Sequence, residues 1–160
     1  MAPSYFRVEA DEATYNLHIM LRMELEMAIM EGEAEVNKLP MYWNDLFQKY
    51  LGVTPPNDKE GVLQDVHWSF GLMGYFSTYA LGNLVSAQLW EVIGRDIPDI
   101  ENKIRTAEFA PLLQWLNKHV HAPGAKFEPQ VMVERMTGSK INGAAYIRYL
   151  EPKFSDINGL

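Results

Sequence analysis

From Glu12 onward, apolar residues recur at three- and four-residue intervals, and strict apolar/polar alternation is almost absent. This periodicity predicts helices and no sheet. The first should run from about Glu12 to Glu31, with Leu17, Met20, Leu21, Glu24 and Met27 sharing a face and Gly32 as its stop. A second is expected from about Pro40 to Tyr50, ended by Gly52, and Thr54-Pro55-Pro56-Asn57-Asp58 then forces a loop.

Gly61 to Tyr79 has no clean period, mixing aromatic side chains with Gly71, Gly74 and polar groups. The period returns from Ala80 to about Ile93, where Gly94 is expected to break it. Pro98 suits the first turn of a helix continuing to about His119, closed by Ala122-Pro123-Gly124. Two shorter helices, about Pro129 to Met136 and Ala144 to Phe154, complete an all-α chain of about five to six helices. No linker or internal repeat divides residues 1–160, so a single helical domain is expected.

Composition narrows the function. Of 160 residues, 48% are hydrophobic, enough for a sizeable core, and the net charge of −7 with scattered lysines and arginines argues against nucleic acid. With no cysteine, disulfides, thiolate zinc sites and a cysteine nucleophile are excluded. There is no apolar run of membrane-spanning length and no signal-peptide pattern at Met1-Ala2-Pro3-Ser4, so a cytoplasmic protein away from membranes is the expectation.

Four constellations could carry chemistry, and each has a plainer reading. Arg7, in Phe6-Arg7-Val8-Glu9-Ala10-Asp11, could grip a carboxylate with its fork, or pair with Glu9 or Asp11 in a capping network. In Gln64-Asp65-Val66-His67-Trp68, an extended backbone would let Asp65 orient one His67 nitrogen and aim the other at a ligand; the alternative is a half-buried histidine beside a core tryptophan. Tyr75 and Tyr79 could donate to an oxyanion or simply pack. His18, His67, His119 and His121 could hold a metal. Yet His119-Val120-His121 has poor geometry for joint ligation and no H-E-x-x-H occurs, so solvated histidines are expected. Met20, Met23, Met27 and Met30 are expected as core or interface filler.

Taken together, these segments resemble the carboxypeptidase Taq family of zinc metallocarboxypeptidases. The family's I-R-x-x-A-D is matched at Phe6 to Asp11 with phenylalanine for isoleucine. Its G-x-x-Q-D-x-H-W is intact at Gly61-Val62-Leu63-Gln64-Asp65-Val66-His67-Trp68, and Thr14 to Arg22 between them is also similar. The resemblance runs from about Pro3 onward and corresponds to about the last third of a member, the C-terminal helical part of a neurolysin-like metallopeptidase fold.

The resemblance implies roles. Arg7 would clamp a peptide's C-terminal carboxylate, and His67, with Gln64 and Asp65, would line the substrate site. Tyr79, or alternatively Tyr75, would polarise the scissile carbonyl from Gly74-Tyr75-Phe76-Ser77-Thr78-Tyr79, where serine replaces the family's proline. The family's zinc ligands and general base lie upstream of the arginine motif, so no metal residue and no cofactor are assigned within these 160 residues. The expectation is a substrate-binding portion, inactive alone, from a truncated frame or a split enzyme. Its partners would be a peptide C-terminus, a complementary N-terminal zinc-binding portion and other copies of itself. The alternative is a non-catalytic helical module that binds peptide C-termini or a protein partner.

Overall fold

The computed structural model describes residues 3–159, and among them every regular element is helical. The helices are α1 (Glu12–Met30), α2 (Leu39–Leu51), α3 (Ser77–Asp96), α4 (Ile100–Arg105), α5 (Ala110–Leu116), α6 (Pro129–Thr137) and α7 (Ala144–Asn158). No helix is long and apolar enough to cross a membrane among the described residues. The chain gathers into two compact units, Met1–Ala80 and Leu81–Leu160.

In the first unit, α1 starts where Asp11 accepts from the Thr14 amide at 2.9 Å, satisfying one of the donors a helix start leaves open. α2 carries Pro40 in its first turn and ends at Gly52 in the left-handed conformation. The two helices pack together around Leu21, Leu25, Ala34, Trp43, Phe47 and Leu51. The buried face of α1 consists of His18, Ile19, Leu21, Arg22, Leu25 and Glu26. It is therefore rotated from the expected face: Met20 and Met27 are about half exposed, as are Met23 and Met30 or more so, and none of the four fills the core. Packing against α2 selects the stripe holding Leu21 and Leu25, although that stripe also carries three polar side chains.

The irregular segment between α2 and α3 is a chain of turns with one 3-10 turn, Trp68–Phe70. Gly61 has a packing reason: an added Cβ would lie 3.1 Å from the Asn57 carbonyl oxygen and 3.6 Å from the Trp43 ring. The glycine opening the G-x-x-Q-D-x-H-W pattern thus lets this loop close onto the core.

The second unit is built around Val92, Ile93, Ile97, Ile100 and Trp115. Two expectations fail here. Gly94 does not break α3, which runs on to Asp96; a glycine costs a helix only about 1 kcal/mol, and burial of the adjacent Val92 and Ile93 offsets that. The single helix expected from Pro98 to His119 is instead α4 and α5, separated where Ala107 takes a left-handed φ of 60°. The Ala107 and Glu108 amides donate back to Ile104 and Lys103 carbonyls, closing α4 before α5 begins.

Candidate functional site

The residues singled out in the sequence converge within the first unit. Arg7 stands in the 3-10 turn Arg7–Glu9 and is buried, as is Arg22 on α1. Between them lies Asp65. Its Oδ1 accepts from Arg7 Nη2 at 3.0 Å and its Oδ2 from Arg22 Nε at 2.6 Å. Arg7 Nη1 donates to the Tyr15 hydroxyl at 3.1 Å and Arg22 Nη1 to the His18 carbonyl at 2.7 Å. The Arg7 guanidinium also lies 4.8 Å from the centre of the Tyr79 ring, and that of Arg22 lies 4.7 Å from Trp43. The pairing of Arg7 with Glu9 or Asp11 is not formed: Asp11 caps α1, and Arg7 turns inward to Asp65.

Gln64 ties the two arginines together. Its Oε1 accepts from the Arg7 amide at 3.2 Å and from Arg22 Nη2 at 2.8 Å, while its Nε2 donates to the carbonyls of Tyr5 and Glu60 at 3.0 and 2.9 Å. Two donors on one side and two carbonyls on the other permit a single orientation of the amide. All four of its hydrogen-bonding positions are filled from within the protein.

His67 sits beside this cluster without the expected bond to Asp65. Its Nδ1 is 3.8 Å from Asp65 Oδ1, too far for a hydrogen bond, because that oxygen is held by Arg7. Instead Nε2 meets the Tyr79 hydroxyl at 3.1 Å. The Asp65 carboxylate near Nδ1 favours a proton there, which leaves Tyr79 donating to Nε2. Tyr75 is more exposed, and its ring lies 5.7 Å from that of His67. Of the two tyrosines, Tyr79 therefore touches the histidine through its hydroxyl.

The turn carrying both tyrosines is held from α1. Gly74, at a left-handed φ of 79°, donates its amide to Oε1 of the buried Glu26, and Ser77 Oγ donates to the Gly74 carbonyl at 3.1 Å. Sequence reasoning missed Tyr15, Arg22 and Glu26 as parts of this assembly. The available signal was two charged residues one helical turn apart, Arg22 and Glu26, flanking Leu25 on one stripe.

The electrostatics follow from burial and pairing. Burial raises the Asp65 carboxyl, but Arg22 and Arg7 outweigh it and hold the group below the ordinary carboxylate value. Burial lowers the Arg22 guanidinium to about 10, with Asp65 opposing, so it stays charged at neutral pH. Burial also works against the Arg7 charge, yet Asp65 and Tyr15 raise its pKa overall. His18, expected to be solvated, is fully buried. Burial and then the Arg22 charge lower it to about 4, so it is neutral. The Ser4 backbone opposes that shift without reaching hydrogen-bond geometry, and both ring nitrogens lack a partner among the described residues.

A metal is a different matter. Among the described residues, no three His, Cys, Asp or Glu side chains converge in a way that could hold an ion. His119 stacks on Trp115 with ring centres 4.6 Å apart, while His121 Nδ1 meets Asn117 Oδ1 at 2.8 Å. The described residues therefore do not supply a donor set that fits a zinc ion.

Comparison with known proteins agrees with the motifs. Residues 1–154 match the family model of the carboxypeptidase Taq (M32) metallopeptidases. Thermostable carboxypeptidase 1 of Thermus thermophilus is 45% identical over 157 residues, covering 98% of this chain and 31% of the relative. Carboxypeptidase 1 of Bacillus subtilis is also 45% identical, over 97% of this chain and 31% of its own length. The crystal structure of the M32 carboxypeptidase from Deinococcus radiodurans R1 matches with a TM-score of 0.95 at 35% identity, over 100% of this chain and 32% of that one. The chain thus spans about a third of its relatives' length, in their C-terminal part. On sequence, motif and fold together, this chain belongs to the carboxypeptidase Taq (M32) family of metallopeptidases.

Proposed function

We propose that this chain is the substrate-binding C-terminal portion of a metallocarboxypeptidase and that its site captures the C-terminal carboxylate of a peptide. One observation carries the reading. Two buried guanidiniums share Asp65, the one carboxylate within ion-pair distance of either among the described residues. The cluster so retains a positive charge without a partner, and an uncompensated charge is costly to bury. Arg7 Nε and His67 Nδ1, both buried, also lack hydrogen-bond partners. An incoming carboxylate would neutralise the charge and accept from these donors.

In this reading Arg7 binds the carboxylate, while Gln64, Asp65 and Arg22 position it. His67 lies along the peptide, and Tyr79, released from His67, polarises the scissile carbonyl, with Tyr75 at the rim. Zinc and its general base would come from the rest of a family member, in the same or another polypeptide, which these 160 residues do not match, so these residues alone should release no C-terminal residues. The Met20, Met23, Met27 and Met30 stripe on α1 supports such a partner. It is an apolar strip left open on a chain that spans 31% of its relatives. Copies of the chain would self-associate through the same strip when that partner is missing.

Calorimetry with a short peptide and its C-terminally amidated form tests the site. The free acid should bind, and both Arg7→Ala and amidation should weaken it at least about tenfold, as expected for losing a charge-assisted pair. Equal binding by the variant would rule out carboxylate capture at Arg7.

A further inference from the structure

The second unit contains a groove of about 330 Å³, lined among others by Trp115, His119, Phe127 and Met136, with Lys118 and Arg135 as its cations. That volume is within the range of small-ligand sites. Trp115 is buried, and its indole N–H donates to Asp96 Oδ2 at 2.8 Å, so its polar edge is satisfied. His119 stacks on it at 27° between ring planes, and the Arg135 guanidinium lies 4.4 Å from the centre of the Phe127 ring.

The segment presenting Lys118 and His119 is a π-helical turn, Asn117–His121, closed by the Ala122 amide donating to the Asn117 carbonyl at 2.8 Å. Such turns are rare and concentrate at functional sites. Although the chain carries a net charge of −7, neither Lys118 nor Arg135 forms an ion pair with a described residue. Two cations and the single Asp96 carboxylate leave the groove with one positive charge.

We propose that this groove binds an amphipathic monoanion, a small molecule with a flat apolar body and one carboxylate. The body meets the aromatic and methionine walls, and the carboxylate meets Lys118 and Arg135. Asp96 sets the charge: a second anionic group would face its carboxylate. The site is independent of the arginine cluster in the first unit.

The test uses the full chain and 1-naphthoate as the ligand, followed by calorimetry and by two-dimensional amide spectra. Saturable binding is expected, with the Trp115 indole signal shifting rather than those of Trp43, Trp68 or Trp90. The double variant Lys118→Gln with Arg135→Gln should bind about tenfold more weakly, and so should the neutral analogue 1-naphthalenemethanol with the unaltered chain. Both substituted residues are exposed, so the fold should tolerate the change. Absence of saturation, indifference to the double substitution, or a shift of another tryptophan's signal in place of that of Trp115 would each overturn the proposal.

Discussion

At the scale of single residues, the first unit concentrates its polar atoms where a core would ordinarily be apolar. Asp65 can hold two guanidiniums because each of its oxygens takes one donor, and the His18 carbonyl and Gln64 accept from the two terminal nitrogens of Arg22. His18, one turn before Arg22, gains no such partner and stays neutral, which makes it the residue whose protonation the fold resists. Its folded pKa of about 4 lies below the unfolded 6.5, so the unfolded chain binds the proton more readily. The associated stability is complete above pH 6.5 and is lost as pH falls toward 4. By pH 5 the loss should be about 2 kcal/mol relative to pH 7.5. Urea midpoints at the two pH values measure it, and His18→Phe, which keeps a ring against Phe47, should remove the difference. The contribution of the Asp65 pairs has the same sign but a lower window: it is held above 3.8 and lost as pH falls below that.

At the scale of elements, helix boundaries follow local chemistry until backbone geometry is asked to do something the residue type does not favour. Gly52 ends α2 where its stop is expected, Asp11 caps the start of α1 and Gly138 closes α6 in the left-handed conformation. Ala107 takes the same conformation less readily: a left-handed alanine pushes its Cβ toward the following carbonyl, at a cost of roughly 1–2 kcal/mol. It is held there by the two back-donated amides that close α4. Ala107→Gly should therefore stabilise the chain by about 0.5–1 kcal/mol, since relief of that clash exceeds the added freedom of the unfolded chain. Thermal or urea unfolding would show it as a raised midpoint, and an unchanged or lowered midpoint would mean the cost is absent. On α1, the apolar residues are numerous enough to form two stripes. Tertiary packing takes one and leaves the methionines open.

At the scale of the whole molecule, that open strip has a consequence for assembly. Met20, Met23, Met27 and Met30 are 47%, 45%, 48% and 68% exposed and recur at helical spacing on one side of α1. Sedimentation velocity of the chain alone should show concentration-dependent association, and replacing the four by glutamine should shift it toward monomer. Mixing the unaltered chain with the N-terminal two-thirds of a family member should give a co-migrating complex that releases C-terminal residues from peptides. The glutamine variant should form less of it. A complex that forms equally well with the variant would place the contact elsewhere.

The sequence by itself determined the helical class, most of the helix boundaries and the family, because these depend on local periodicity, capping residues and the spacing of two short motifs. It also singled out Arg7 for its carboxylate-gripping fork, Gln64, Asp65 and His67 as polar residues costly to group beside an aromatic without a purpose, and Tyr75 and Tyr79 as oxyanion donors. Their partners were not legible. Asp65 is two residues from His67, a spacing that predicts it as the orienting group, yet it pairs with Arg7 and Arg22, 58 and 43 residues away along the chain. A guanidinium gives a carboxylate a strong charge-assisted bond, so once folding brings the arginines within reach they take it. The same holds for Glu26 and the Gly74 amide. Periodicity places a residue on a face, but only the close packing of α1, α2 and the Gly61 loop decides which face is inside and which charges must meet there.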